Sequence, residues 1–107
     1  MKVLVVIFML SAVLYVSSCS YISHTGKSAF NKVKVGDSEA TVIDLFGSPS
    51  VREKPELLYT RYTSLPCKEK CVERLWFENM LSIGIEAWSV QLDSSGNVIA
   101  KSYWMSP

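Results

Sequence analysis

Residues 88–98 read Trp88-Ser89-Val90-Gln91-Leu92-Asp93-Ser94-Ser95-Gly96-Asn97-Val98, and this stretch decides the fold. Trp88, Val90 and Leu92 alternate with Ser89, Gln91 and Asp93, the period-two pattern of a strand with one dry and one wet face. The run from Asp93 to Asn97 is a turn, because Asp and Asn bond their own backbone and Gly takes up the tight conformations a reversal needs. Strand character resumes over residues 98–104, so the segment folds back as an antiparallel hairpin.

Upstream of it, Leu58-Tyr59-Thr60-Arg61-Tyr62-Thr63 is rich in β-branched and aromatic residues, and residues 72–77 resume that character after Pro66 and the cysteines. A second hairpin is expected there, with Cys67 and Cys71 in its loop. Residues 79–84 either begin a strand or form a connector.

The next segment upstream has helical spacing. Gly36 breaks the chain, Asp37 or Ser38 can cap the following turn, and Glu39 places negative charge where the helix dipole favours it. Val42, Leu45 and Phe46 fall at i, i+3 and i+4 with Ile43 beside them, Gly47 can close the helix, and Pro49 forbids its continuation. A helix is predicted over residues 38–46. A shorter one is expected over 29–35, with Phe30 and Val33 on one face. A helix of about nine residues is not stable alone, so its stripe must pack against the apolar faces of the strands. The expected fold is α+β, two short N-terminal helices on one face of a three- or four-stranded antiparallel sheet.

Residues 19–28 are small and polar, include Gly26, and read as a flexible tether. His24, the single histidine, lies within it as a solvated spacer residue. Ahead of the tether, Lys2 gives a positive start and residues 3–16 are apolar except Ser11, ending in Val16-Ser17-Ser18-Cys19. The run is about fourteen residues where a bilayer-spanning helix takes roughly twenty, so a signal peptide over residues 1–18 is expected rather than a permanent span. Val-Ser-Ser-Cys resembles the bacterial lipobox, which implies diacylation of the Cys19 thiol and cleavage ahead of it. A plain signal peptide cleaved near Ser18 is the alternative. Two or three acyl chains hold a protein stably where one is marginal. Ser20 stands where, by likeness to enterobacterial sorting, Asp would retain the protein in the inner membrane, so the periplasmic face of the outer membrane is the expected location.

Without Lys2, ten basic side chains face ten acidic ones. This balance gives no electrostatic case for nucleic acid. If Cys19 carries lipid, Cys67 and Cys71 remain as an even pair in an oxidising compartment, and a structural disulfide is expected. Metal ligation and redox chemistry are the alternatives. The three-residue spacer differs from a redox C-x-x-C, and no second ligand pair accompanies it.

Lys34-Val35-Gly36-Asp37-Ser38 with Val42, then Leu45-Phe46-Gly47-Ser48-Pro49, then residues 88–93 and Gly96-Asn97-Val98, resemble the SmpA/OmlA or BamE-like family of small outer-membrane lipoproteins. The resemblance covers residues 30–104 and frames residues 29–107 as one such domain. It implies a non-catalytic interaction module in outer-membrane protein assembly or envelope maintenance, with lipid held through Cys19 and barrel-assembly subunits as partners. Asp37 departs from the Met usual in the assembly-factor branch, so that branch's contact residues are not carried over. The closing segment from Val90 is nearer the osmotically inducible lipoprotein E branch, which implies the alternative of a stress lipoprotein acting apart from the assembly machinery.

No catalytic constellation, metal set or cofactor motif is found. Glu69, Glu73, Glu78 and Glu86 are scattered and read as solvated charge. Of Trp76, Phe77, Trp88, Tyr103 and Trp104, most are expected in the core of so small a domain.

Overall fold

The computed structural model describes residues 1–54, 70–82 and 84–106. Among the described residues two helices, α1 (Lys2–Lys32) and α2 (Glu39–Phe46), precede four strands, β1 (Val51–Glu53), β2 (Glu73–Glu78), β3 (Ile85–Leu92) and β4 (Val98–Ser106). The strands form one antiparallel sheet in the order β1-β2-β3-β4, so the expected α+β architecture is the observed one.

Register sorts the side chains into two faces. Pairing of Leu75 with Val90, Phe77 with Trp88 and Leu92 with Val98 puts these six on the face the helices cover. With Val33 and Val42 they make the core, and Phe30, Leu45 and Phe46 pack against it. Phe46 stacks on Phe77 with ring centroids 4.3 Å apart. The opposite face is buried as well, at Glu53, Arg74, Trp76, Ser89 and Gln91.

α2 forms as its sequence predicts. Ser38 is the cap, its Oγ accepting from the Thr41 amide, and Gly47 closes the helix at φ +88°. Asp37 instead accepts from the Lys34 amide at 2.9 Å, shaping the loop ahead of the cap. This loop is sewn to the β3–β4 turn. Gly36 N donates to Val98 O, Val98 N to Asp37 O and Glu39 N to Gly96 O, all at 2.8–2.9 Å. Two segments about sixty residues apart in sequence, each read separately as a turn, therefore share one hydrogen-bonded seam.

α1 corrects two expectations. The short helix over 29–35 is the last part of a helix of 31 residues, and residues 19–28, expected as a flexible tether, are helical and packed on the sheet. Ile22, Gly26, Ala29 and Val33 recur at helical spacing, and Gly26, Ala29 and Val33 are buried. A glycine and an alanine make this stripe look like a linker, yet small residues are what a close helix–sheet approach requires. Contacts step together along both elements: Ser23 meets Glu86, Gly26 abuts Trp88, and the Lys101 ammonium bonds the Phe30 carbonyl and lies 4.4 Å from its ring centroid. From residue 19 to 33 the helix rises about 21 Å, and from 98 to 105 the strand spans about 23 Å. The two elements are matched in length.

β1 has no counterpart in the sequence reading. It pairs Val51 with Trp76, Arg52 with Leu75 and Glu53 with Arg74. Arg52 also bridges Glu39 at 2.5 Å and Glu73 at 2.6 Å, tying α2 to this edge of the sheet. The strand expected over 58–63 lies outside the described residues, as does the hairpin loop with Cys67. Residues 79–82 and 84 are a connector, not a strand.

Candidate functional site

Cys19 sits where α1 parts from the domain. Residues 2–18 of the helix are exposed throughout, whereas Cys19 is half-buried and the helix beyond it lies on the sheet. The helix is long and apolar enough to cross a membrane by length and composition, a test that a signal sequence also passes. Just before the junction the Tyr15 hydroxyl donates to the Leu81 carbonyl in the β2–β3 connection.

A buried polar chain holds this junction. Asn79 Nδ2 donates to the Cys19 carbonyl at 3.2 Å, lies 3.6 Å from Cys19 Sγ, and donates to Glu86 Oε1 at 3.0 Å. Asn79 is fixed in turn, because its Oδ1 accepts from Leu81 N and its own amide bonds Glu86 O. Glu86 Oε2 accepts from Ser23 Oγ and from the Tyr103 hydroxyl, each at 3.0 Å. Beside the chain is an open groove of about 410 Å³ lined in part by Ser20, His24, Lys27 and Met105.

Glu86 corrects the reading of scattered solvated carboxylates, being 5% exposed. Its position shared the period-two face of Trp88, Val90 and Leu92, and that pattern was the available signal. Burial pushes its carboxyl up, but the hydrogen bonds from Asn79, Ser23 and Tyr103 and the nearby Lys27 charge outweigh burial and hold it below the ordinary carboxylate range. Tyr103 is shifted up, by burial and by the anion it serves. A depressed folded-state value means that Glu86 contributes stability above the ordinary carboxylate pKa and loses it as pH falls through the folded value. The melting temperature should therefore fall as pH drops below about 4.5. Glu86→Gln should cost about 1–3 kcal/mol at neutral pH and flatten that acid limb. An unchanged acid limb in the variant's thermal melts would refute the assignment.

Chemically the arrangement positions rather than reacts. Asn79 offers Cys19 a donor, which cannot take a proton from a thiol as a general base must. Cys19 is a free cysteine, whereas Cys71 is disulfide-bonded and buried. Cys67, expected as the partner of Cys71, lies outside the described residues. His24 is exposed on α1. Among the described residues no group of His, Cys, Asp or Glu side chains is placed to hold a metal ion. Trp76, Phe77 and Trp88 are buried, while Tyr103 and Trp104 remain more than a third exposed. Compared with known proteins, the chain matched no family model, no curated protein and no solved structure.

Proposed function

We propose that the protein is an exported lipoprotein, anchored through Cys19 to the periplasmic face of the outer membrane, whose domain is a non-catalytic interaction module in outer-membrane protein assembly or envelope maintenance. The observation that carries this reading is Val16-Ser17-Ser18-Cys19, with its free thiol, at the point where a bare apolar helix meets the folded domain. A thiol there can take a lipid without disturbing the core, since Asn79 bonds mainly the backbone carbonyl of residue 19. The SmpA/OmlA-like pattern of residues 30–104 supports the assembly role.

Cys19→Ser should move the domain from the membrane fraction to the soluble fraction and abolish the mass of the attached lipid. An unchanged distribution would overturn the lipid anchor. For the assembly role, crosslinking in intact envelopes should enrich barrel-assembly subunits, and their absence would sink it. The stress-lipoprotein reading draws on the closing segment from Val90. It predicts impaired growth of a deletion strain in high salt or detergent.

A further inference from the structure

We propose that the end of the sheet beside Cys19 is a membrane-seating surface that rests in the boundary between headgroups and acyl chains. The β2–β3 connection and the end of β4 meet there and leave Met80 78%, Ile85 38%, Trp104 36% and Met105 63% exposed. Register brings them to one end of the sheet, since Ile85 pairs with Ser106, Glu86 with Met105 and Ala87 with Trp104, so that Ile85 and Trp104 share one face and Met105 lies on the other, while Met80 immediately follows the Asn79 that bonds Cys19. Single exposed apolar residues are ordinary, but a cluster at one end is not.

Charge points the same way. Among residues 78–82, 84–86 and 103–106 the ionisable carboxylate or ammonium groups are Glu78, half-buried and set one strand back from Trp104 across Ala87, and Glu86, which is buried with three donors on it. The first lysine past the junction, Lys27, lies eight residues along α1, about 12 Å down the helix, at the depth of the headgroups. Tryptophan at an apolar–aqueous boundary suits its amphipathic ring.

The occupant is a bilayer because the exposed apolar helix over residues 2–18 leaves the domain from this same end. The inference rests on anchoring at residue 19, whether by acyl chains on Cys19 or by the helix itself. Asn79 then sets the orientation, holding the connection against residue 19, where the anchor enters the membrane.

The test uses the full chain in phosphatidylcholine vesicles with bromine at a shallow acyl position. Trp76 and Trp88 are 1% and 2% exposed, so Trp104 is the one tryptophan of three that lipid can reach. Up to about one third of the emission should be quenched by bromolipid and protected from aqueous iodide. Trp104→Phe should abolish the quenched part, and Met80→Lys with Met105→Lys, at exposed sites, should weaken quenching about twofold while the protein still floats with vesicles. Flotation with Trp104 open to iodide and untouched by bromolipid would overturn the seating surface alone, as would quenching unchanged by the two lysines. Failure to float would overturn the anchor and the seating surface together.

Discussion

Gly26→Ala is expected to lower the melting temperature by about 10–20 °C, from an overpacking cost of about 2–3 kcal/mol in a domain of this size. The sign is opposite to the usual one, because Ala in a helix interior is ordinarily better than Gly by about 1 kcal/mol. What reverses it is Trp88. A Cβ on residue 26 would stand 2.4–2.6 Å from three atoms of the indole ring. That ring is 2% exposed and set in the middle of β3 between Phe77 and Tyr103. No flexible tip can swing aside, so the helix must lift from the sheet or the strand must shift. Circular dichroism melts of the full chain in detergent would measure the loss, and Gly26→Ala with Trp88→Leu should recover part of it. If Gly26→Ala melted like the parent, residues 19–28 would be the free tether that their composition resembles.

That contrast shows where the sequence was readable. α2 announced itself because every signal was local: a Ser cap, a Glu in the first turn, an i, i+3, i+4 stripe and a closing Gly-x-Pro. The β3–β4 hairpin did so for the same reason, with alternation on both sides of an Asp-Ser-Ser-Gly-Asn turn. The packed half of α1 failed because its buried face is made of Gly26 and Ala29, residues whose value lies in what they let approach. Trp88, which does the approaching, is sixty-two residues away.

β1 failed for a related reason. Val51-Arg52-Glu53 carries two charges in three residues, and it is the partner strand that makes it a strand. At the site, Cys19 was legible from the small residues before it. Asn79 and Glu86 were not, since their roles depend on contacts across 60 and 63 residues. By residue type Glu86 reads as solvated charge, whereas its place in the alternating pattern puts it on the covered face.

The strongest test of the opposite face is Glu53→Ala, expected to cost about 3–5 kcal/mol by removing one partner of a buried ion pair. Glu53 and Arg74 face each other across the β1–β2 ladder and are 4% and 1% exposed. Glu53 Oε1 accepts from Arg74 Nε at 3.0 Å and also from the Trp76 indole N–H, so one oxygen serves two buried donors. The Arg74 guanidinium lies 5.3 Å from the Trp76 ring centroid. Deleting the carboxylate takes the anion from beside a desolvated cation and an acceptor from a buried indole. Glu53→Gln keeps the oxygen and the shape, and should cost less. Denaturant midpoints would rank the three proteins. Arg52→Ala supplies the control, because Arg52 is next in the chain but points to the other face, with its side chain 43% exposed. Its two ion pairs with Glu39 and Glu73 are screened by water, and losing them should cost no more than about 1 kcal/mol. Neighbouring charges on one three-residue strand should thus differ severalfold in effect. Equal, small losses at both positions would mean that Glu53 and Arg74 are reached by solvent and that the second face of the sheet is not closed.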